Sequence, residues 1–229
     1  MSAAVVFADR ASATGVLERI KRPRRLIGAG FQTTAGEFAG RSVVAAMPSD
    51  AKPSEQVAVG AMLVAIRSAF HPQLVVGAGF STRCGDGSAG TRLLASRVLR
   101  SEMPTLEMAI PERLEEVTAA SVFEGDAASA PAGCVAANDW SYAFAQACAE
   151  MAWPAAVATT VASTEPGTLS REAQNVRRQR TAAGWLGAAA GAIWRRPKSL
   201  AELANRQSAL WSDQERLADA IETVLAAGG

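Results

Sequence analysis

The sequence predicts an α/β protein with one main sheet, and three observations carry this prediction. Short runs of apolar and β-branched residues alternate with longer stretches whose apolar residues recur at helical spacing, which is typical of strands alternating with helices. The chain has 229 residues, which favours a single domain, and 49% of them are apolar, which is enough for a sizeable core. The formal net charge of +1 argues against a dedicated nucleic-acid binder.

The first third of the chain predicts two strand–helix pairs. Proline stops the second helix at Pro72, and the basic run Lys21–Arg25 is predicted to be a solvated surface turn. The predicted elements are a strand at Val5–Phe7, a helix at Ser12–Ile20, a turn at Gly36–Gly40, a strand at Arg41–Met47 and a helix from Pro53 to Phe70.

The rest of the chain continues the alternation and then becomes helical. The predicted strands are Leu74–Val76, a strand near Leu93, Ser121–Phe123 and Ala155–Val161, with helices at Pro111–Val117 and from an Asn138 or Asp139 cap to about Met151. Two capping-box patterns, at Ser199–Glu202 and Ser212–Glu215, predict two C-terminal helices that end near Trp211 and Leu225.

Two glycine-rich stretches raise the question of a phosphate site. Gly85–Gly90, "GDGSAG", matches G-x-G-x-x-G, but Thr91–Leu99 after it resembles a strand, whereas the dinucleotide fingerprint needs a helix there. It is therefore predicted to be a loop between strands. Val75–Arg83, "VVGAGFSTR", is better placed, because Gly77-Ala78-Gly79 is predicted to end a strand where a ligand can approach the backbone.

Backbone N–H groups after this glycine turn, together with Ser81, Thr82 and Arg83, could hold phosphate. The alternative is a tight surface turn with no ligand, and the sequence leaves both open.

No metal or organic cofactor is indicated. Three cysteines, Cys84, Cys134 and Cys148, are widely spaced and odd in number, which fits neither a disulfide framework nor a zinc site. The single histidine, His71, precedes Pro72 and offers no local support for a Ser-His-Asp triad.

The chain is expected to be cytoplasmic and not to act on a membrane. Asp9 and Arg10 follow only a few apolar residues, so no signal peptide is expected. The longest apolar run, Ala182–Trp194, is too short to span a bilayer. Within it, Gly187 and Gly191 permit close helix packing, which favours core packing or a homo-oligomer interface.

Five segments resemble the nucleoside phosphorylase superfamily, which includes purine nucleoside phosphorylases and methylthioadenosine/adenosylhomocysteine nucleosidases. The resemblance lies in the order and spacing of the segments over about residues 4 to 165. The segments are "AVVFADRASATGVLERI" (Ala4–Ile20), "GEFAGRSVVAAM" (Gly36–Met47), "FHPQLVVGAGFSTR" (Phe70–Arg83), "VFEGDAA" (Val122–Ala128) and "NDWSYAFAQACAEMAWPAAVATTVAS" (Asn138–Ser163).

This resemblance implies a three-layer αβα phosphorylase-like fold with a central mixed sheet and a helical C-terminal tail. Residues 1–165 would form the core, and 166–229 would form helices that pack on the core or on a second subunit. The implied activity is cleavage of the N-glycosidic bond of a purine nucleoside or adenosyl compound, with phosphate as a possible co-substrate.

The residues that the family uses are largely replaced here. By resemblance, the Glu that holds the ribose falls on Trp140, and the Asp that acts as general acid falls on Ser163. The Glu that activates water falls near Ser12. The family's late-strand Arg falls on Thr159, and the Gly-Asp that follows its glycine turn falls on Gly90-Thr91. A serine hydroxyl has a pKa far above that of a carboxylic acid, so it cannot donate the proton near neutral pH.

Neighbouring carboxylates could take over these roles. The candidate catalytic residues are Asp139, Ser163 and Glu165, with Asp9 near the first strand. The candidate substrate-binding residues are Gly77, Gly79, Ser81, Arg83, Asp126 and Trp140. For Asp139 the alternative is a helix cap, and for Glu124 and Asp126 it is a polar turn.

Three functions remain open from the sequence. The first is a nucleosidase or phosphorylase with a carboxylate in its pocket, and the second is a nucleoside-binding pseudoenzyme in which Trp140 relines that pocket. The third is an assembly protein whose Ala-Gly-Trp tail is the interface.

Overall fold

The computed structural model describes residues 2–28, 30–49, 56–108, 117–163 and 198–227. Ten strands form one sheet. They are β1 (Ser2–Phe7), β2 (Lys21–Gly28), β3 (Phe31–Phe38), β4 (Arg41–Pro48), β5 (Leu74–Arg83), β6 (Arg92–Arg100), β7 (Leu106–Glu107), β8 (Thr118–Glu124), β9 (Cys134–Asn138) and β10 (Ala155–Val161). The described helices are α1 (Arg10–Arg19), α2 (Gln56–Phe70), α3 (Ser141–Glu150) and α4 (Lys198–Ala227).

The sheet is mixed, as the resemblance implies. Strands β4, β1, β5 and β10 are parallel neighbours, and so are β6, β8 and β9. Strands β2 and β3 are antiparallel extensions beyond β4. Because β10 pairs with both β5 and β6, and β9 pairs with the end of β5, the strands β5, β10, β6, β8 and β9 form a closed ring of pairings.

Helices cover both faces of the sheet. Alternate residues of β1 show the division: Ala4 and Val6 pack in the core beneath α2 and α3, whereas Ala3 and Val5 pack in the core beneath α1 and the end of α4. This period of two is what a strand buried on both faces requires. The predicted three-layer αβα fold with a C-terminal helix is therefore confirmed.

The chain divides into two compact units, Met1–Ala162 with Asp213–Gly229, and Ser163–Ser212. Within the first unit, α1 and α4 approach closely at Gly15, where a Cβ atom would lie 2.5 Å from the carbonyl oxygen of Gln214. Arg19 donates to Asp219 at 2.7 Å and also contacts Glu215. Burial alone would lower the pKa of Arg19, but the hydrogen bonds to these two carboxylates outweigh it and raise that pKa.

The predicted pair of C-terminal helices is wrong, because α4 runs unbroken from Lys198 to Ala227. The residues of the second capping-box pattern make other contacts instead. Asp213, which is 2% exposed, accepts from Arg216 at 3.1 Å, and the side chain of Gln214 donates to the carbonyl oxygen of Ala11 at 2.9 Å. These residues therefore serve a contact within α4 and a contact with α1, although their sequence resembles a helix start.

The predicted surface turn at Lys21–Arg25 is also wrong, because these residues belong to the edge strand β2. Pro23 is tolerated there because an edge strand has N–H positions without partners, and the pairing with β3 has an irregularity between Lys21 and Arg24. Similarly, Gly36 lies within β3, and the chain turns at Ala39-Gly40 instead.

Several predictions fall outside the described ranges. These are the helix over 111–116, the start of the second helix at Pro53 and the interface at 182–194, and they stay predictions. In the described ranges, no helix has the length and apolar character that crossing a bilayer would need.

Candidate functional site

The carboxyl ends of four parallel strands form the candidate site. Strands β4, β1, β5 and β10 run in one direction, so Pro48, Ala8, Ser81 and Val161 lie at the same edge of the sheet. Ligands of open α/β sheets bind at this edge. Helix α3 begins above it, and its first turns supply the aromatic side chains described next.

The predicted glycine turn is instead a regular part of β5, because the strand continues through Gly77 and Gly79 to Arg83. Glycine is needed at both positions because aromatic rings lie directly over the strand there. A Cβ atom on Gly77 would lie 2.6 Å from the ring of Phe144, and one on Gly79 would lie 2.7 Å from Nε1 of Trp140. These two glycines therefore make room for aromatic rings.

Trp140 and Phe144 are one helical turn apart and meet edge to face, with ring centroids 6.5 Å apart. Trp140 is only 3% exposed, and its Nε1–H has no hydrogen-bond partner among the described atoms. The indole thus fills the space above Gly79 with a donor that nothing satisfies.

An apolar hollow lies beside this indole. Its cavity volume is about 20 Å³. Strands β1 and β4, and helices α2 and α3, supply the walls: Val6, Phe7, Ala8, Pro48, Val59, Met62, Trp140 and Phe144. We call this space the Trp140 hollow. None of these eight side chains is charged, and the indole N–H is their one polar group.

A chain of polar side chains lies next to Trp140 at the end of β5. The hydroxyls of Ser81 and Thr159 are 2.6 Å apart, and the side chain of Asn138 donates to Ser81 at 3.1 Å. Thr159 also donates to the carbonyl oxygen of Gly79 at 2.8 Å. All three side chains are buried, and the hydrogen bonds between them satisfy their polar groups.

The start of α3 is held by two side chains from neighbouring strands. Oδ1 of Asn138 accepts from the backbone N–H groups of Trp140 and Ser141, and Oε2 of Glu124 accepts from those of Tyr142 and Ala143. These are the orphan donors of a helix start, and the negative charge of Glu124 also suits the positive end of the helix dipole.

Both carboxylate oxygens of Glu124 have protein partners. Its second carboxylate oxygen lies 3.4 Å from Arg100. Sequence reasoning assigned Glu124 to a polar turn and missed its role, because the partner N–H groups are 18 and 19 residues away along the chain. The one feature of the sequence that could have indicated this role is that Glu124 lies at the end of a strand, β8.

The predicted carboxylates do not converge on the Trp140 hollow. Asp139 is exposed, and the N-cap position of α3 is Trp140, whose N–H donates to Oδ1 of Asn138. Asp126 is exposed and caps a short 3₁₀ helix at Ala127–Ser129. Glu165 lies outside the described residues.

The remaining candidates are dispersed. Arg83 is exposed at the end of β5, and Ser163 is half-buried just after β10. Gly77, Gly79, Ser81 and Trp140, by contrast, lie together. The structure therefore gathers the small and aromatic candidates and leaves the ionisable ones at the periphery.

Asp9 and Ser12, the other suggested positions, are both used to start α1. The N–H of Ser12 donates to Oδ1 of Asp9 at 2.8 Å, and the N–H of Asp9 donates to Oγ of Ser12 at 3.4 Å. This arrangement is a capping box. Ser12 is 1% exposed, so it is part of the packed interior and not of an open site.

The three cysteines are free and buried. Burial raises the pKa of the Cys148 thiol in α3 to about 12. Burial also raises the pKa values of Cys84 and Cys134; Asp126 and the neighbouring Cys134 add to the effect on Cys84, whereas Arg97 opposes it on Cys134. All three side chains are therefore neutral thiols near pH 7, which makes them poor nucleophiles.

The described ranges contain no group of three or more His, Cys, Asp or Glu side chains arranged to hold a metal ion.

Solved nucleosidase structures are similar to this chain over nearly their whole length. The 5'-methylthioadenosine/S-adenosylhomocysteine nucleosidase of S. pneumoniae, solved with a transition-state inhibitor, is 11% identical with a TM-score of 0.67, and the match covers 100% of both chains. The nucleosidase of Colwellia psychrerythraea, solved with adenine, is 13% identical with a TM-score of 0.69, over 99% of this chain and 95% of that one.

The apo 5'-methylthioadenosine nucleosidase of Arabidopsis thaliana is 14% identical with a TM-score of 0.68, over 98% of this chain and 94% of that one. No protein-family model and no curated protein sequence matches the chain. At these identities the likeness establishes the fold, so the chain has the nucleoside phosphorylase/nucleosidase fold in a divergent form.

Proposed function

We propose that this chain is a small-molecule binding protein on the nucleosidase fold and that it does not cleave N-glycosidic bonds. The observation that carries the proposal is the position of Trp140. Its indole lies on Gly79, where the resemblance implies a carboxylate that holds ribose. An indole offers one N–H donor and no acceptor, so it cannot accept hydrogen bonds from two ribose hydroxyls.

The loss of proton-transfer groups supports the same proposal. Glycosidic cleavage passes through an oxocarbenium-like sugar, so it needs an acid for the leaving base and a base for the attacking water. The resemblance places these roles at Ser163 and Ser12. Neither side chain is a carboxylic acid, and Ser12 is committed to the start of α1.

The other nearby carboxylates support it as well. Asp9, Glu124 and Asp126 each accept backbone N–H groups, and none of them lines the Trp140 hollow. Their oxygens are engaged by the backbone donors that they cap.

The case for binding rests on the hollow itself. It lies at the carboxyl ends of β1 and β4, where α/β folds accommodate ligands, and the rings of Trp140 and Phe144 offer flat apolar surfaces. The nucleosidases of similar fold are described with an inhibitor or adenine bound.

The test combines a chemical and a thermodynamic readout. The purified full chain is incubated at high concentration with methylthioadenosine or adenosylhomocysteine, and free adenine is quantified by chromatography. We expect no adenine above the level in buffer. An authentic nucleosidase in parallel shows that the assay works.

Binding is measured on the same samples by thermal shift with adenine, adenosine and small uncharged ring compounds, each with and without phosphate. A ligand at about 100 times its dissociation constant stabilises the fold by about 2.7 kcal/mol. Adenine release by the native chain would refute the proposal, and Glu165→Gln and Asp139→Asn would then show which predicted carboxylate supplies the chemistry. The absence of any ligand shift would refute the binding half.

A further inference from the structure

Strand β2 lies at one end of the sheet, and its outer edge pairs with no strand of the described ranges. Such an edge leaves backbone N–H and C=O groups that an added strand can bind. The pairing of β2 with β3 is irregular between Lys21 and Arg24. Within that stretch Arg22 has a φ of 52°, and Pro23 has no N–H to donate. From Arg24 to Gly28 the register is regular, so this part of the edge can accept a strand.

Four exposed cations lie along β2 without a countercharge. They are Lys21, Arg22, Arg24 and Arg25. None of them makes an ion pair within the described ranges, and Glu37, which lies opposite Lys21 in the register, makes none either. Their four charges exceed the formal net charge of +1, so the rest of the chain carries a net charge of −3. The positive charge of the protein is therefore concentrated on this edge.

Leu26 adds an apolar contact to the same edge. It is one of the few large apolar side chains that the described surface exposes, at 53%. Successive residues of a strand point to opposite faces, so Leu26 shares a face with Arg24, and Arg25 lies on the other face. A strand added here would meet a cation on each of its faces and an apolar side chain on one.

An acidic peptide strand matches all of these groups. Its backbone can pair with the open edge, and its carboxylates can accept paired hydrogen bonds from the guanidinium groups. A nucleic acid or an anionic membrane offers phosphates but no strand. Each also extends over a wide surface, and outside β2 this chain has a negative net charge that would repel it.

We propose that the outer edge of β2 binds an extended acidic segment of a partner protein. The segment pairs with Arg24–Gly28 as an added strand and places carboxylates beside Arg24 and Arg25, with an apolar side chain against Leu26. This inference does not depend on the small-molecule binding proposed above.

Two peptides of equal charge test the mode of binding. The peptide VEEVEEV, acetylated and amidated, carries glutamates on both faces of a strand. VEEPEEV has the same charge, but its central proline removes a backbone donor and prevents regular pairing. Each is titrated into the full chain, and the β2 amides are followed by NMR. We expect VEEVEEV to bind at least fivefold more tightly, to slow hydrogen exchange of amides in Arg24–Gly28, and to bind more weakly as salt is raised.

Charge reversal gives the second readout. Arg24→Glu and Arg25→Glu should each weaken binding of VEEVEEV by about fivefold to tenfold, because an attraction becomes a repulsion. Arg10→Glu is the matched control: Arg10 is exposed at the start of α1, and the substitution changes the net charge equally, so the affinity should stay within about twofold. All three positions are exposed, so an unchanged Tm confirms that each variant is folded.

Three results would overturn the inference: no binding of VEEVEEV, equal binding of VEEPEEV, or equal effects of Arg24→Glu and Arg10→Glu. Phosphatidylserine vesicles and duplex DNA are titrated in parallel. Tighter binding of either one than of VEEVEEV, lost in Arg24→Glu, would refute the peptide partner and assign the edge to that polyanion. None of these outcomes bears on adenine release or on ligand shifts, so the proposed function is tested separately.

Discussion

The close fit of Trp140 over Gly79 makes Gly79→Ala the sharpest test of the site. The backbone of Gly79 does not have a positive φ, so alanine can adopt it, and in open space the change would stabilise the chain by about 0.4–1 kcal/mol. Here the new methyl would lie 2.7 Å from Nε1 of Trp140 and 2.9 Å from Cβ of Ala8. Both atoms belong to packed side chains, so the strain dominates.

Overpacking of this kind costs about 1–3 kcal/mol. For a chain of this size, each kcal/mol moves the midpoint of thermal unfolding by about 2–4 °C. We therefore expect Gly79→Ala to lower Tm by about 2–12 °C. Gly60→Ala is the matched control, since a Cβ atom there meets nothing within 4 Å and alanine favours a helix by about 0.5–1 kcal/mol.

A double-mutant cycle identifies the cause. Trp140→Ala alone should destabilise the fold by about 3–5 kcal/mol through the cavity that it leaves. In that background Gly79→Ala should lose most of its cost, because the clashing ring is gone, which gives a coupling free energy of about 1 kcal/mol or more. A neutral Gly79→Ala, or one equally costly with and without the indole, would show that Trp140 does not rest on Gly79.

Three further predictions concern other parts of the first unit. Glu124→Ala leaves the N–H groups of Tyr142 and Ala143 without their acceptor, so the free energy of unfolding in urea should fall by about 1–3 kcal/mol; the exposed Glu107→Ala should have little effect, and equal losses would contradict the capping role. The raised pKa of Cys148 predicts that its contribution to stability is complete below about pH 9. It should decline by about 1.4 kcal/mol per pH unit between about pH 9 and pH 12, because the unfolded thiol ionises first; Cys148→Ala should remove this slope from the pH profile of urea unfolding. Arg19→Gln should lower the free energy of unfolding by less than about 1 kcal/mol because its carboxylate partners are largely exposed, and the loss should shrink in 0.5 M salt if the contacts are electrostatic.

Local sequence patterns were sufficient for elements with a clear local signal. The short apolar runs in β1 and β4 and the helical spacing in α2 predicted elements that the structure contains. The order and spacing of the five segments also predicted the fold, through their resemblance to the nucleoside phosphorylase superfamily.

Other features depend on contacts between distant residues and leave ambiguous local signals. Gly77 and Gly79 looked like a turn because glycine is frequent in turns, yet a glycine beneath an aromatic ring is equally necessary, and only the fold shows which applies. Ser212 and Glu215 looked like a capping box because the partner of Glu215, Arg19 in α1, was not known. Glu124 reaches α3 from another strand.

The place of two candidate residues in the fold was predictable, but their contacts were not. The resemblance predicted that Ser81 and Trp140 lie at the carboxyl ends of the parallel strands, and the structure places them near each other there. Two contacts could not be predicted from residue spacing, because they depend on where side chains lie in the fold. The indole of Trp140 covers a strand, and Asn138 makes hydrogen bonds both with Ser81 and with the start of α3.

The closed ring of strands described above has a consequence for self-association. Each of the five strands in the ring pairs with a neighbour on both sides, and so do β1, β4 and β3. In the described part of the chain, β2 is therefore the one long strand with an open edge. An open edge can pair with the same edge of a second molecule and begin aggregation. Lys21, Arg22, Arg24 and Arg25 are exposed along this edge and Pro23 lacks an N–H, so two copies that meet there repel each other and cannot complete their hydrogen bonds. The basic run thereby disfavours pairing of two copies at this edge.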